Sequence, residues 1–187
     1  ADAGDREAMF ALAMLRISGR GGPVDKGEAV KLMASAAKLG EPKAAYNLAL
    51  LYLDGQTLPQ DVRRAAELLR VAADAGNPEA QYALATMYKE GRGTPKDIGK
   101  AVRLMQQASV AGNTDAMVEF AIAQFNGDGT AKDEAAAAKL FLKAAYLSSP
   151  IAQNRVARIL MAGRGLPADP TEALKWHIIS KAAGASG

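Results

Sequence analysis

Few residues of this 187-residue chain have the chemistry that catalysis or metal binding requires. The chain contains no cysteine and one histidine, His177, which follows the single tryptophan, Trp176. A lone imidazole can act as a general base or a ligand, but no motif places a nucleophile or a carboxylate beside it. Disulfides, thiolate nucleophiles and the usual zinc ligand sets are excluded. We therefore interpret His177 as a packing or surface residue, and expect no catalytic residue, no metal and no cofactor.

Two further patterns look like chemical sites but are better explained by helix ends. The Gly-Arg-Gly segments at 19–21, 91–93 and 163–165 follow predicted helices, and they lack the Lys-Ser/Thr pair of a phosphate-binding loop. Five aspartates recur every 36 residues, at Asp25, Asp61, Asp97, Asp133 and Asp169. Each stands before a predicted helix, where a carboxylate accepts hydrogen bonds from free backbone N–H groups. We predict turns and N-caps at these positions.

The composition favours closely packed helices. Apolar residues make up 49% of the chain and aromatic residues 5%, because 41 residues are alanine. Alanine is the best helix former, and its short side chain lets helix backbones approach one another. No apolar run reaches the roughly 20 residues that a membrane span needs, so we expect no direct membrane insertion.

The sequence is built from a 36-residue repeat without insertions or deletions. The repeats are 4–39, 40–75, 76–111, 112–147 and 148–183, and residues 184–187 are the start of a sixth unit or a tail. Within each repeat, apolar residues three and four apart predict two amphipathic helices joined by a short turn. Because two such helices cannot bury their apolar faces alone, neighbouring repeats must stack. We predict one all-α domain over 1–187, a right-handed α/α solenoid superhelix of five helix-turn-helix repeats.

The second repeat carries a recognisable pattern. It reads Gly40-Glu-Pro-Lys-Ala44-Ala-Tyr46-Asn47-Leu48-Ala49, then Tyr52, Gly55, Pro59, Asp61, Ala65, Leu68 and Ala72-Ala73-Asp-Ala-Gly76. This pattern resembles the SEL-one-like repeat (SLR) family, a relative of the tetratricopeptide repeats, and the resemblance extends over 4–184. The sequence departs from the family pattern at Thr57, which replaces a loop glycine, and at Ala131, which replaces a loop proline. Only Trp176 keeps the family's second-helix tryptophan, and Leu32, Leu68, Leu104 and Leu140 replace it elsewhere.

The resemblance implies a non-catalytic scaffold for protein–protein interaction, in a bacterial envelope or signalling complex. It favours a periplasmic or secreted bacterial protein over a cytoplasmic one. One cysteine-rich branch of the family is linked to β-lactam binding and hydrolysis, but its paired cysteines have no counterpart in this chain. A β-lactam-binding or hydrolase-like repeat protein and a self-assembling structural module are the alternatives.

The predicted partner surface is the groove lined by the first helix of each repeat. By analogy with tetratricopeptide arrays, side chains three, six, ten and thirteen residues after each opening glycine or serine point into this groove. With Asn47 added, the predicted partner-binding residues are Phe10, Met14, Lys43, Tyr46, Asn47, Leu50, Glu79, Tyr82, Thr86, Ile122 and Phe125. Tyrosine, methionine and leucine suit a peptide or a helix of a protein partner. The alternative that Tyr46 and Tyr82 pack between repeats stays open.

Charge and the last helix complete the sequence evidence on partners. The net charge of the five repeats alternates in sign, at +2, −1, +2, −2 and +3, so no continuous basic stripe is available to follow nucleic acid. The last helix is apolar on more than one face. We predict that Trp176, Ile178 and Ile179 at this C-terminal edge contact further residues, a second copy or a partner.

Overall fold

Ten helices account for the regular structure of the described residues. The computed structural model describes residues 3–20 and 22–184, and these ranges contain helices and no strands. The helices are α1 (Ala3–Ser18), α2 (Lys26–Lys38), α3 (Pro42–Asp54), α4 (Val62–Asp74), α5 (Pro78–Glu90), α6 (Ile98–Val110), α7 (Thr114–Asn126), α8 (Glu134–Tyr146), α9 (Pro150–Ala162) and α10 (Pro170–Ala182). Gly21 and residues 185–187, which the sequence places in a turn and in a sixth unit or tail, lie outside the described residues.

Polar side chains cap the N-termini of both helices of a repeat. At four second helices the carboxylate accepts the N–H three residues further on at 2.8–3.0 Å, which confirms Asp25, Asp61, Asp133 and Asp169 as N-caps. Three first helices begin in the same way after Asn77, Asn113 and Ser149. Each cap satisfies a backbone donor that the helix itself leaves free. The recurring helix starts are therefore encoded by single side chains.

Left-handed residues end the helices of each repeat. The first helices α5 and α9 end at Gly91 and Gly163, with φ of 71° and 66°, and each glycine N–H donates to a carbonyl of the helix. The residues that open the second to fifth repeats, Gly40, Gly76, Gly112 and Ser148, also have positive φ. Ser148, with φ of 66°, is the one non-glycine residue among the described residues with positive φ. A side chain in this conformation has a steric cost that glycine avoids.

The chain separates into two compact units between Asp97 and Ile98. In the first unit α1 packs on α2, α2 on α3, α3 on α4, and α4 on α5. In the second unit the packed pairs are α6 with α7, α7 with α8, α8 with α9, and α9 with α10. Within each unit every helix thus contacts the next helix in the chain, as stacking of helix pairs requires. A single continuous domain and the handedness of a superhelix stay predictions.

Alanine forms the close contacts between helices in both units. Ala44, Ala65 and Ala80 are fully buried in the first unit, as are Ala116 and Ala152 in the second. Larger side chains fill the space between these contacts: Met33 and Leu69 in the first unit, and Met117, Phe141 and Val156 in the second. Small residues at fixed places let the helices approach, and the larger ones supply most of the buried apolar area.

Two buried glutamines add hydrogen bonds between consecutive repeats. Gln81 Nε2 donates to the carbonyl of Ala73 and Gln153 Nε2 to the carbonyl of Ala145, each at 3.2 Å. Both bonds join a first helix to the end of the second helix before it. Each bond joins a side chain of one helix to a fixed backbone position of the preceding helix. These bonds therefore help to set the position of one helix along the axis of the other.

The second glycine of a loop lies against the helix that precedes it in the stack. A Cβ added to Gly165 would meet the carbonyl oxygen of Glu134 and lie 2.7 Å from its carbonyl carbon. At Gly93 the added Cβ would lie 2.9 Å from the carbonyl carbon of Val62. Val62 and Glu134 are the first residues of α4 and α8. Each of these loops therefore needs glycine to pass the start of the preceding repeat's second helix.

Candidate protein-binding face

The predicted partner-binding residues lie on the first helices of the two units. We call the exposed side of α1, α3 and α5 in the first unit, and of α7 and α9 in the second, the first-helix face. Met14 and Leu50 are 40% and 38% exposed, so both side chains are accessible on this face. Lys43 and Glu79 are exposed, and the half-buried members are Phe10, Tyr46, Asn47, Tyr82, Thr86, Ile122 and Phe125.

A shallow depression brings part of this face together in the first unit. It has a volume of about 570 Å³ and contains Phe10 of α1 and Lys43 of α3, with Asn77 at the start of α5. Arg6 and Glu41 also lie there, and their charged groups are 3.8 Å apart. Glu41 is only 5% exposed and accepts the backbone N–H of Lys43, so it is fixed by the fold. The depression offers a cation and an aromatic ring to a partner.

Tyr46 lies near Glu79 of the following repeat on the same face. Partial burial raises the pKa of the Tyr46 phenol, and the negative charge of Glu79 raises it further. The hydroxyl therefore remains protonated and available as a donor in the neutral range. This half-buried position suits both readings of Tyr46, contact with a partner and packing between repeats.

Two other predicted residues use their polar groups within their own helices. Asn47 Nδ2 donates to the carbonyl of Lys43 at 2.8 Å, and Thr86 Oγ1 donates to the carbonyl of Tyr82 at 3.2 Å. A partner would have to compete with these bonds or use the remaining acceptors.

An open cavity on the second unit brings Ile122 and Phe125 together with arginines. The cavity has a volume of about 240 Å³ and lies between α7 and α9. Its floor is apolar, because Phe141 and Ile159 there are 2% and 5% exposed. Three guanidinium-bearing side chains, Arg155, Arg158 and Arg164, also line it. The site thus combines an apolar floor with cationic groups at its opening.

One of these arginines is held by the protein itself. Arg164 pairs with Glu134 through two hydrogen bonds, of which Nε to Oε2 is 3.3 Å, and its guanidinium lies 4.5 Å from the centroid of the Phe125 ring. The hydrogen bonds from Arg164 and Lys132 lower the pKa of the Glu134 carboxyl to about 2. The loop after α9 is thereby connected to the start of α8.

The predicted partner-binding residues do not include these arginines, although the sequence positions of two of them carry a signal. Arg158 stands ten residues after Ser148, one of the positions expected to face the groove. Arg155 stands in the same repeat column as Asn47, which was included. Arg164 belongs to a Gly-Arg-Gly segment interpreted as a turn, and nothing in that motif indicates which helix the side chain reaches.

The structure corrects the expectation for Trp176. Its side chain is 6% exposed and packs edge-to-face against Tyr146, with ring centroids 5.1 Å apart, so it belongs to the core and is not offered at the edge. The reason is that α10 packs against α9 with its tryptophan turned inward, as for the leucines of the same repeat column. By contrast Ile178 and Ile179 are 59% and 44% exposed, and Leu174 is 57% exposed.

The single histidine and the acidic side chains form no metal-binding group on the described surface. His177 is exposed, and its carbonyl accepts a hydrogen bond from Ser180. Among the residues that the structure describes, no group of three or more His, Cys, Asp or Glu side chains is placed to hold a metal ion. Over the same residues no helix combines the length and the apolar character needed to cross a membrane.

Comparison with known families accounts for the repeat. The Sel1 repeat model matches five consecutive segments, 6–41, 42–77, 78–113, 114–149 and 150–184. The chain belongs to the Sel1 repeat family. The family's repeats begin two residues after the predicted ones. The predicted repeats were counted from the glycine that ends a helix pair, and the next helix begins two residues later, as at Pro42. Among curated proteins no sequence matches the chain.

Solved structures share the fold along most of the chain. A protective antigen of uropathogenic Escherichia coli with an SLR fold is 26% identical, with a TM-score of 0.89 over 97% of this chain and 39% of its own. A Sel1 repeat protein from Oxalobacter formigenes is 25% identical, with the same TM-score over 97% of this chain and 75% of its own. This chain therefore spans about two fifths of the E. coli antigen. The predicted SLR family and all-α solenoid fold are confirmed.

A third structure shows the fold alone. The immunity protein PA5088 from Pseudomonas aeruginosa is 20% identical, with a TM-score of 0.54 over 99% of this chain and 67% of its own.

Sel1 repeat proteins are generally protein–protein interaction scaffolds and are typically non-catalytic.

Proposed function

We propose that this protein is a non-catalytic scaffold that binds a peptide or a helix of a partner protein in the groove along its first helices. The observation that carries the proposal is the exposure of apolar side chains on these helices. Met14 of α1 and Leu50 of α3 are about two fifths exposed, and Phe10 lies in the depression of the same unit. Met14 stands one helical turn after Phe10 on α1, and an exposed methionine beside an aromatic ring is a group from which peptide-binding surfaces are built.

The family supports the same function. Sel1 repeat proteins generally mediate protein interaction, and the chain carries five repeats of the family. Over the described residues no group of three or more His, Cys, Asp or Glu side chains is placed to hold a metal ion, and the chain has no cysteine and one histidine, so the proposal assigns no catalytic residue. The proposal therefore requires only binding.

The test is capture of a partner by the chain and by variants of the face. The native chain, a Met14→Glu, Leu50→Glu double variant and a Val71→Glu control are immobilised and exposed to lysate of the source cell. Val71 is 45% exposed but lies on the second helix α4, so it controls for the loss of an exposed apolar side chain. All three must have equal helicity and melting temperature. Capture lost in the double variant and kept in the control supports the face, and capture unchanged in all three contradicts it.

A second candidate function, self-assembly, is favoured by one observation. Leu174, Ile178 and Ile179 of α10 are 57%, 59% and 44% exposed. An apolar helix surface of this kind is suited to contact with a second copy of the chain. Light scattering over a range of concentrations tests it: an Ile178→Lys variant that stays monomeric where the native chain associates supports self-assembly, and a native chain that is monomeric throughout contradicts it.

The setting proposed for this scaffold is a periplasmic or secreted bacterial one. It is supported by the resemblance to the SLR family, whose members are often exported. Fractionation of the source cell with an antibody against the chain tests it, and recovery only with cytosolic markers would contradict it.

A further inference from the structure

The arginine-lined cavity of the second unit has unused cationic groups. Arg164 is paired with Glu134, but Arg155 and Arg158 form no ion pair with any residue in the described ranges. No acidic side chain is among the residues that line the cavity. Ten N–H donors of these two guanidinium groups are therefore free to bind an anion.

The positions of the two arginines also favour the binding of an anion. Arg155 and Arg158 are three residues apart on α9, so their side chains are neighbours on one side of the helix, and like charges at this spacing repel one another. A carboxylate held between them would replace repulsion by two charge-assisted hydrogen-bonded contacts. Both arginines are exposed, so an anion from solution can reach them without any rearrangement of the fold.

The floor defines the other half of the ligand. Ile122, Phe141 and Ile159 present apolar surface directly next to the guanidinium groups. The volume of about 240 Å³ is below the range of pockets for drug-sized molecules, and it suits one aliphatic or aromatic side chain together with a carboxylate.

From this geometry we infer that the cavity between α7 and α9 binds a peptide segment in which a carboxylate lies next to a bulky apolar side chain. Arg155 and Arg158 bind the carboxylate, and Ile122, Phe141 and Ile159 receive the apolar group. The inference rests on the proposed scaffold function and adds to it the chemistry of the partner segment. The carboxylate is supplied either by the C-terminus of a partner or by an Asp or Glu side chain.

The experiment uses small probes that carry this pair of groups. N-acetyl-leucine supplies an α-carboxylate, and N-acetyl-aspartyl-leucine amide supplies a side-chain carboxylate. N-acetyl-leucine amide is the uncharged control. Binding to the full chain is followed by NMR through the arginine Nε–H and isoleucine methyl signals. A probe of about twelve heavy atoms should bind with a dissociation constant on the order of a few millimolar.

The expected result is saturable shifts at Arg155, Arg158 and Ile122 with at least one acid probe, and about tenfold weaker binding of the amide. Whichever acid probe binds more tightly identifies the source of the carboxylate. A double Arg155→Gln, Arg158→Gln variant should lose the preference for acid over amide. Arg103→Gln, which removes an exposed arginine of α6, should keep it.

Three results would overturn the inference. The first is equal affinity of the acid probes and the amide control, and the second is no shift of the cavity signals with either acid probe. The third is a preference for acid over amide that remains in the Arg155→Gln, Arg158→Gln variant. The capture experiment with Met14 and Leu50 reports separately on the scaffold function, because both residues lie in the first unit. Probe binding without partner capture would support the ligand proposed for the cavity and contradict the scaffold function. Partner capture without probe binding would support the scaffold function and contradict the ligand proposed for the cavity.

Discussion

Replacing Gly165 with alanine should destabilise the second unit more than the same change two residues earlier. Both Gly163 and Gly165 have positive φ, of 66° and 78°, so alanine at either position costs about 1–2 kcal/mol of unfolding free energy for its backbone conformation. At Gly163 the added Cβ would lie 3.4 Å from Ala168 Cβ, an ordinary contact. At Gly165 it would lie 2.7 Å from the carbonyl carbon of Glu134 and 3.2 Å from Ala138 Cβ.

The difference between the two variants measures the contact between repeats. Moving backbone to make room for a methyl group costs a further ~1–3 kcal/mol, so Gly165→Ala should lose about 2–5 kcal/mol in all. Urea unfolding followed by helical circular dichroism gives both values, with equal m-values as the check that the same surface unfolds. Equal loss in the two variants would refute the reasoning, since it would show that the loop does not rest on α8.

Four further predictions concern single side chains. Ser148→Gly should change the stability by about 1 kcal/mol or less and in the favourable direction, because it removes the strain of a non-glycine φ of 66°; a lower melting temperature would contradict this. Asp169→Ala should cost about 1 kcal/mol in urea unfolding through loss of the α10 cap, whereas Asp169→Asn should keep most of it. Trp176→Ala should cost ~3–5 kcal/mol, and a loss under 1 kcal/mol would show that the ring is not in the core. The pKa of the Glu134 carboxyl is lowered from 4.5 to about 2, so the stabilisation from its pairing is complete above about pH 4.5 and is lost as the pH falls toward 2. Glu134→Gln should remove this pH dependence. NMR titration of the carboxyl and urea unfolding at several pH values test both statements.

Features that depend on neighbours in the sequence could be predicted from it. The N-caps at Asp61 and Asp133 are decided by one side chain and the backbone three residues away, and the 36-residue period repeats that local signal. The stacking of helix pairs follows because each pair has an apolar face that it cannot bury alone. Fold class and helix limits are therefore accessible without coordinates.

The candidate site depends on distances that the sequence does not contain. Ile122 and Arg158 share a cavity because α7 and α9 are rotated about their axes by amounts that side-chain packing sets. Arg164 reaches Glu134, thirty residues earlier, only because the loop after α9 folds back over α8. For Trp176 the sequence does contain a usable signal, because the other four repeats have leucine in the same column, and those leucines are half-buried in the structure. The apolar residues around the last helix instead favoured an exposed edge.

The fully buried alanines have a consequence for how this sequence can evolve. Ala44, Ala65 and Ala152 have no solvent-exposed surface, so a larger side chain there would overpack the core and glycine would weaken the helix. Exposed positions of the first helices carry no such restriction. Substitutions at these exposed positions therefore change the surface without changing the spacing of the helices, so a new binding specificity can arise without a new fold.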